Sequence, residues 1–366
     1  MKKSQVYFTD FKATFDENLP QKLERLILSA GFEKINFKNK FVAIKIHFGE
    51  PGNLAYLRPN YARVLVELIK KKGGRPFLTD CATLYVGRRK NALEHLESAY
   101  ENGFTPFSTG CHVIIGDGLK GTDETLIPVD GSFVKEARIG RALSDADIII
   151  SLSHFKVHEL TGIGGALKNI GMGSASRAGK MDMHAAGKPS VDSSLCTACG
   201  ACVKNCAHEG IALKSGKAQI DNHKCVACGR CIGICSEDAL SAPFDAANEI
   251  LNRKIAEYTA AVIRDKPHFH VTLICDVSPF CDCHSENDRA IVADVGMLAS
   301  FDPVALDAAC ADLVNEQPPL PNSLLAELAL TGDHFTTLHP NTDWKTCIDQ
   351  AEKMGLGSGK YELITI

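Results

Sequence analysis

The apolar run Asp147-Ile-Ile-Ile-Ser-Leu152 is followed directly by the polar stretch Ser153-His-Phe-Lys-Val-His158. A short run rich in β-branched residues predicts a buried strand. A glycine-rich turn comes next, at Gly162 and Gly164-Gly165, without a complete phosphate-binding motif. Because ligands of open α/β sheets bind outside the carboxyl ends of the strands, this stretch predicts both the fold class and the place of a site.

Similar apolar runs recur along the chain and alternate with longer amphipathic segments. The predicted strands are Phe41–Ile46, Pro76–Asp80, Val113–Gly116, Asp147–Leu152, His270–Cys275, Ile291–Asp294 and Tyr361–Ile366. The predicted helices are Leu19–Ala30, Pro59–Lys72, Arg89–Asn102, Ile139–Asp145, Ala246–Ile263, Pro303–Asn315 and Trp344–Met354. The alternation predicts an α/β fold, with a mostly parallel sheet and helices on both faces.

Composition indicates a globular protein with many potential metal ligands. The chain has 366 residues, 45% of them apolar and 23% charged, and a net charge of −4 that argues against nucleic acid as a partner. No stretch approaches the roughly 20 apolar residues that span a bilayer. No apolar run follows the lysines at the start, as a signal peptide requires. We therefore expect a cytoplasmic protein with no membrane partner, whose cysteines are available to metals rather than to disulfides. Of the fifteen cysteines, Cys81, Cys111, Cys310 and Cys347 are isolated and are expected to fill the core.

Two cysteine motifs repeat at an offset of 29 residues, the first over Cys196–Cys206 and the second over Cys225–Cys235. Both have the spacing C-x2-C-x2-C-x3-C, in which three thiolates of one loop bind one 4Fe–4S cluster and the fourth binds the other. We expect two clusters ligated crosswise, one by Cys196, Cys199, Cys202 and Cys235, the other by Cys225, Cys228, Cys231 and Cys206. Structural zinc sites are the alternative, although zinc ribbons use C-x2-C pairs.

Turn-forming residues bracket this block at Gly187-Lys-Pro-Ser190 and Ser241-Ala-Pro243. We predict an inserted α+β domain over residues 188–243, which interrupts one α/β domain made of residues 1–187 and 244–366. The block resembles bacterial two-cluster ferredoxins over its whole length, except that Ala207 and Ser236 stand where proline usually follows the fourth cysteine. The resemblance implies an electron path between an outside carrier and the larger domain.

Polar side chains follow several predicted strands of the larger domain. Since the carboxyl ends of parallel strands share one edge, we expect these side chains to face one crevice. Lys and His there would bind an anionic substrate and transfer protons. Each one taken alone could instead be an ordinary surface group. The candidates are Lys45, His47, Glu50, His154, Lys156, His158, Lys168 and His184.

Four motifs carry a resemblance to a known family. They are Lys45-Ile-His-Phe-Gly-Glu50, Thr79-Asp80 with Thr83-Leu-Tyr-Val-Gly-Arg88, Ser153–His158 with Gly164-Gly-Ala-Leu-Lys-Asn169, and Asp294–Asp307. Over nearly the whole chain these motifs resemble the iron–sulfur proteins of domain-of-unknown-function family 362. The resemblance implies clusters but no particular reaction.

A second resemblance is more distant. His158, Gly164-Gly165, Lys168 and His184 follow one another with intervals of 10 and 16 residues between the first His, the Lys and the second His. This order is similar to that of the nickel-pincer lactate racemases. The resemblance implies that His158 is an acid/base, Lys168 a cofactor anchor and His184 a metal ligand. The chain departs from that family at Leu167, where the family has proline.

A last cluster follows the predicted strand at His270, where Cys275, Cys281, Cys283 and His284 lie within ten residues. Three thiolates and an imidazole suffice for tetrahedral zinc or for part of an iron–sulfur cluster. We predict a third metal centre at Cys275, Cys281 and Cys283. Three buried thiols that only fill the core are the alternative.

These features together predict an iron–sulfur oxidoreductase of anaerobic metabolism. Electrons would pass between an electron-carrier protein and a small anionic substrate or metal centre in the crevice. One alternative is a non-redox isomerase or racemase whose clusters are structural or regulatory. Another is an electron carrier that has no substrate.

Overall fold

The computed structural model describes residues 3–84, 87–184, 188–242, 247–330 and 332–366. Its strands are β1 (Ser4–Asp10), β2 (Phe41–Lys45), β3 (Arg75–Asp80), β4 (Val113–Ile115), β5 (Glu124–Pro128), β6 (Glu136–Gly140), β7 (Ile148–His154), β8 (Lys156–His158), β9 (Gly162–Gly164), β10 (Ser190–Val191), β11 (Ile211–Lys214), β12 (Lys217–Ile220), β13 (Leu240–Ser241), β14 (His268–Ile274), β15 (Gly296–Ser300) and β16 (Tyr361–Thr365). Its α-helices are α1 (Leu19–Ser29), α2 (Pro59–Lys71), α3 (Ala92–Glu101), α4 (Pro106–Thr109), α5 (Arg141–Asp145), α6 (Ala166–Ser174), α7 (Arg177–His184), α8 (Ala201–Asn205), α9 (Arg230–Ile234), α10 (Asn248–Ile263), α11 (Pro303–Asn315), α12 (His334–Leu338) and α13 (Lys345–Lys353). A 3-10 helix covers Phe32–Lys34.

Eight strands form the central sheet, in the order β16-β1-β15-β14-β7-β2-β3-β4. Five of its seven pairings are parallel, and β15 runs antiparallel to both of its neighbours. The adjacent strands β14, β7, β2 and β3 run the same way, so their carboxyl ends meet at one edge. The predicted α/β class with a mostly parallel sheet is confirmed.

Both faces of the sheet are buried, as parallel strands connected by helices require. Along β2, Val42 and Ile44 belong to the core that includes α1 and α2, whereas Ala43 belongs to the core on the opposite face. Residues of α6, α10, α11 and α13 complete that second core. The predicted helices on both faces are therefore confirmed. No described helix combines the length and the hydrophobicity that crossing a membrane requires.

Three predicted elements differ from the structure. The predicted strand Ile291–Asp294 is a loop; the nearby strand is β15, which antiparallel pairing with β1 and β14 recruits. The predicted helix from Ile139 begins only at Arg141, because Ile139 pairs with Thr125 in the β5–β6 hairpin. The predicted helix from Arg89 begins at Ala92, because the Asn91 side chain caps it. Tertiary pairing and capping thus decided boundaries that periodicity alone did not.

The cysteine-rich segment, residues 188–242, adds no strand to the central sheet. It contains the strand pairs β10–β13 and β11–β12 and the helices α8 and α9. A small core of its own includes Cys196, Cys202 and Ile232. The predicted domain division stays a prediction, since residues 185–187 and 243–246, which hold its boundaries and the start of the predicted helix at Ala246, lie outside the described residues.

A carboxylate from another helix holds the amino terminus of α6. Asp307 of α11 accepts hydrogen bonds from the backbone N–H groups of Ala166 (2.7 Å) and Leu167 (2.9 Å). A Cβ atom on Gly165 would lie 2.3 Å from this carboxylate, so the close approach requires glycine. The glycine-rich turn therefore accommodates an internal carboxylate, and this contact positions the helix that carries Lys168.

Replacing the cap should destabilise the fold. We expect Asp307→Ala to lower the free energy of unfolding by about 2 kcal/mol, because two buried N–H groups lose their acceptor. The exposed Asp349→Ala is the control and should change it by less than about 0.5 kcal/mol. Urea denaturation measures both. Equal effects of the two substitutions would show that the cap contributes nothing specific.

Candidate functional site

The loops that follow β2, β3, β7 and β14 surround one pocket at the carboxyl edge of the sheet. The pocket contains about 740 Å³ of empty space, including its mouth. Five Lys and Arg side chains line it against a single Asp or Glu, Asp80: Lys45, Arg89, Lys156, Lys168 and Lys180. Lys45 pairs with Asp80, and Arg89 and Lys156 pair with Glu50 and Asp282 outside the lining, so Lys168 and Lys180 remain to attract an anionic ligand.

The structure brings most of the predicted site residues together. Those that line the pocket are Lys45, His47, His154, Lys156, Lys168, His184, Cys281 and Cys283. Glu50 and His158 lie behind the wall, next to Arg89 and to the two cysteines respectively. Tyr85, in the predicted motif after β3, lies outside the described residues. The chemical roles predicted for these side chains stay predictions.

Lys45, at the end of β2, is fully buried and bonded on two sides. Its Nζ lies 2.9 Å from Asp80 Oδ1 at the end of β3 and donates to Asn169 Oδ1 of α6, also at 2.9 Å. Burial lowers the pKa of Lys45, although Asp80 opposes the shift. The Asn169 amide in turn donates to the backbone oxygens of Lys45 (3.0 Å) and Leu152 (3.2 Å). Lys45 and Asn169 therefore fix α6 against the strand ends.

Arg89 connects the loops after β2 and β3. Its Nε donates to Glu50 Oε2 at 2.6 Å, and its Nη1 lies 2.8 Å from His47 Nε2. Burial, followed by the Arg89 cation, lowers the pKa of His47 well below its usual value. A Cβ atom on Gly87 would lie 2.4 Å from Glu50, so the loop passes close to this carboxylate. Glu50 thus acts by holding Arg89 in the pocket wall.

Asp282 bonds to two side chains, one at the end of β7 and one at the start of β8. Its carboxylate lies 3.0 Å from His154 Nδ1 and accepts from Lys156 Nζ at 2.8 Å. Despite burial, His154 and Lys156 hold the pKa of Asp282 well below its usual range. His154 Nε2 lies 2.7 Å from the Cys275 carbonyl oxygen, so both of its ring nitrogens face acceptors. These hydrogen bonds fix the His154 ring in the pocket wall.

Two thiols lie at the base of the pocket. A hydrogen bond from Cys283 lowers the pKa of Cys281 well below its usual value, and Lys168, His158 and Lys156 add to the effect against burial. The Lys168 Nζ lies 3.8 Å from the Cys281 sulfur. The Lys168 contact therefore favours the thiolate form at Cys281 over that at Cys283.

His184, at the end of α7, shares this part of the pocket. Burial lowers the pKa of His184 to about 3, and the nearby Lys168 ammonium adds to the effect. The ring is therefore neutral at physiological pH, and only a negative charge bound beside it would make it an effective proton acceptor.

Two groups of described residues have the geometry to hold a metal ion, and they share Cys283. In one, ligand atoms of His158, Cys281 and Cys283 lie within 4.8 Å of one another, and in the other Glu159 and His284 accompany Cys283. The predicted ligand Cys275 belongs to neither group and lies in the core on the other face of the sheet. The third metal centre therefore stays a prediction. The residue that lies near the two thiols is His158 and not Cys275.

The tautomer of His158 limits how it could bind a metal. Its Nδ1 accepts from the backbone N–H groups of Leu160 (3.0 Å) and Thr161 (3.3 Å). A neutral ring with an accepting Nδ1 carries its proton on Nε2, and this buried Nε2 has no partner among the described residues. His158 therefore presents an N–H donor, whereas metal-ligating histidines donate from the nitrogen that does not bind the metal.

The cysteine-rich segment groups its thiols across the two motifs. Cys196, Cys199 and Cys202 of the first motif and Cys235 of the second line one cavity. Backbone N–H groups donate to three sulfur atoms: Ala218 to Cys196 (3.4 Å), Gly210 to Cys206 (3.2 Å) and Ala227 to Cys225 (3.5 Å).

Three cations from the rest of the described chain contact this segment, and the first of them, Lys120, donates to Asn205 Oδ1 at 2.9 Å. Lys90 Nζ donates to the Cys235 carbonyl oxygen at 3.2 Å and pairs with Asp238. The buried Arg177 of α7 packs against Gly229 and Gly233, where a Cβ atom would collide with it. Arg177 also donates to the carbonyl oxygen of Lys90.

Sequence reasoning missed several residues of the pocket and its surroundings. Asp80 and Arg89 lay in or beside a quoted motif, and Asp282 lay between two predicted ligands. Lys180 precedes His184 by one helical turn on α7, a spacing that places both on one face. Arg177 and Lys90 had no signal of their own, because their partners belong to a segment distant in sequence.

Removing the positive charge beside Cys281 should make this thiol less reactive. The thiolate is the form that iodoacetamide alkylates, and it predominates above the thiol pKa. Lys168→Met should raise the pKa of Cys281 and lower its alkylation rate at pH 7, whereas the exposed Lys353→Met should not. Peptide mass spectrometry over a pH series measures the rates. An unchanged profile in Lys168→Met would contradict the assigned contact.

Comparison with known protein families finds a match for this chain. A family model described as "Domain of unknown function (DUF362)" matches residues 42–312. No curated protein matches the sequence. Among solved structures, the lactate racemase apoprotein from Thermoanaerobacterium thermosaccharolyticum is 14% identical, with a TM-score of 0.37, over 75% of this chain and 51% of that one. A Thermotoga maritima protein is 14% identical, with a TM-score of 0.37, over 76% of this chain and 54% of that one.

This chain therefore spans about half the length of the solved structures it matches. Structural similarity this weak carries no argument about activity. The family match covers well over half of the chain and agrees with the motifs after β2, β3 and β7. The chain belongs to the DUF362 family, a domain of unknown function.

Proposed function

We propose that this protein is an iron–sulfur oxidoreductase. Two 4Fe–4S clusters in the cysteine-rich segment would transfer single electrons between an electron-carrier protein and a small anionic substrate in the pocket. The observation that carries the proposal is the cavity lined by Cys196, Cys199, Cys202 and Cys235. Three thiols from one motif and the fourth from the other are the ligand pattern of two-cluster ferredoxins.

The buried Arg177 supports a negatively charged group beside the second motif. Its Nε has no hydrogen-bond partner among the described residues. Burial lowers the pKa of Arg177, and Asp117 with Cys231 and Cys228 offsets this only in part. A buried cation requires compensation, and a cluster with four thiolate ligands carries net negative charge. Cys206, Cys225, Cys228 and Cys231 would hold that cluster, with Arg177 as its counter-ion.

The pocket supplies what an anionic substrate needs. Lys168, which makes no ion pair with a described carboxylate, would bind a negative group of the substrate, and the wall formed by His154, Lys156 and Asp282 would orient it. Neutral His184 would accept or return a proton as electrons move. Leu84 supports a short route, since it lines this pocket and also packs in the core of the cysteine-rich segment.

A non-redox isomerase or racemase is a second candidate. It is favoured by the proximity of His184 to Lys168 and His158, which places a proton acceptor and an amine at one point. Turnover that proceeds equally well with oxidised and reduced clusters would support this candidate over the first.

Cluster loss should follow the crossed ligand pattern. Anaerobically purified protein should contain about eight irons per chain. Cys235→Ala should damage the cluster held by Cys196, Cys199 and Cys202 and leave the other intact, as followed by iron analysis and electron paramagnetic resonance. Cys347→Ala, which removes a buried thiol of the larger domain, is the control. Loss of the cluster at Cys225, Cys228 and Cys231 instead would contradict the crossed assignment.

Removing the counter-ion should make its cluster harder to reduce. Reduction adds negative charge, so Arg177→Met should shift the midpoint potential of the second cluster to a more negative value. Arg177→Lys keeps the charge and should shift it less. Redox titration monitored by electron paramagnetic resonance measures both. An unchanged potential in Arg177→Met, with both clusters present, would show that Arg177 has no such role.

A further inference from the structure

The pair Cys281 and Cys283 is the part of the pocket that substrate binding alone does not explain. The backbone N–H of His284 donates to the Cys281 carbonyl oxygen at 3.1 Å, which closes a turn containing both cysteines. Their sulfur atoms lie within 4.8 Å of each other and line the pocket. Both thiols therefore face the ligand space together.

The surroundings of the pair are not those of thiols that only fill a core. Lys168 lies 3.8 Å from the Cys281 sulfur, and His158 Nε2 is a buried donor without a partner among the described residues. Between the cysteines, Asp282 is fixed by His154 and Lys156, which keeps the turn rigid. Packing thiols are surrounded by apolar groups, whereas a reactive thiol lies beside cations and donors.

A metal bound by these groups would lack a good third ligand. The accepting Nδ1 of His158 leaves the proton on Nε2, the atom available to face the sulfur atoms. His284 is engaged with Glu159 at 2.9 Å, and this pairing raises the pKa of His284 to about 9. The two thiols remain, and two thiols in one turn can also form a disulfide.

A chain of bonds connects this pair to the cysteine-rich segment. Arg89 Nη2 lies 3.5 Å from the Cys283 carbonyl oxygen. Arg89 is bonded covalently to Lys90, and Lys90 donates to the carbonyl oxygen of Cys235 at 3.2 Å. Cys235 is one of the proposed cluster ligands, so the dithiol lies at the pocket end of this chain.

We propose that Cys281 and Cys283 are a redox-active dithiol and disulfide pair, which stores two electrons between the clusters and the substrate. Reduction breaks the S–S bond: two electrons arrive one at a time from a reduced carrier protein through the clusters, and one proton is taken up. The products are the Cys281 thiolate beside Lys168 and the Cys283 thiol. When the pair is oxidised again and the S–S bond re-forms, it passes two electrons and the Cys283 proton to a small anionic substrate. The Lys168 ammonium supplies a second proton to the substrate. The source of the electrons and the substrate that receives them rest on the proposed function, whereas the dithiol pair itself does not.

Counting electrons in an anaerobic reductive titration tests this directly. After mild oxidation by ferricyanide, wild-type protein should take up about two electrons per chain more than Cys283→Ser or Cys281→Ser. Cys275→Ala is the matched control, because Cys275 is a buried thiol of the same loop outside the pair. It should take up as many electrons as the wild type. Iron content and electron paramagnetic resonance of each variant show separately whether the clusters are present.

Alkylation followed by mass spectrometry checks the same claim without relying on the clusters. The peptide that contains both cysteines should be protected in oxidised protein and doubly alkylated after treatment with dithiothreitol. Equal electron uptake by wild type and Cys283→Ser, or free thiols after oxidation, would overturn the proposal. So would a stoichiometric metal that wild type retains and Cys281→Ser loses. If clusters are absent but the disulfide forms, the proposed function fails and the dithiol stands.

Discussion

Compensation of buried charge is the constraint on which the rest of the site depends. Ionised groups removed from water must find an opposite charge or a hydrogen-bond partner, because the desolvation cost of an unpaired ion exceeds most other single contributions to stability. At the carboxyl edge of the sheet, Lys45 meets Asp80, Arg89 meets Glu50, and Lys156 meets Asp282. Each pair joins two separate segments of the chain. The pairs thereby hold the pocket wall in one arrangement.

The same constraint indicates where a negatively charged ligand has to bind. After these pairings, Lys168 faces a thiol and Arg177 faces the cysteines of the second motif, and neither makes an ion pair with a described carboxylate. An anionic substrate in the pocket and a cluster beside Arg177 would each complete the balance. These two cations therefore mark the two places at which we propose that a substrate and a cluster bind, and Arg89 and Lys90 lie between them.

A route between the two places follows from chain connectivity. The loop after β3 contributes Arg89 to the pocket and Lys90 to the cysteine-rich segment, so consecutive residues face different ligand spaces. Glycine at 229 and 233 lets Arg177 pass close to α9. Such close contact suits electron transfer, and it would position the segment whether its thiols bind iron or another metal.

The sequence by itself determined the α/β class, six of the eight strands of the central sheet, seven of the thirteen described α-helices, and the edge of the sheet at which polar side chains gather. Periodicity and strand order are local properties of the chain, and parallel strands place their loops at one edge. The cysteine spacing likewise predicted which thiols would group, because the motif is contained in short loops. The third metal ligand was predicted at Cys275, yet only tertiary structure brought His158 to Cys281 and Cys283. It also decided the pairing of β15 with β1 and the burial of Arg177 and Lys90 against a distant segment. These contacts join residues far apart in sequence, and no local pattern records which buried charge will find which partner.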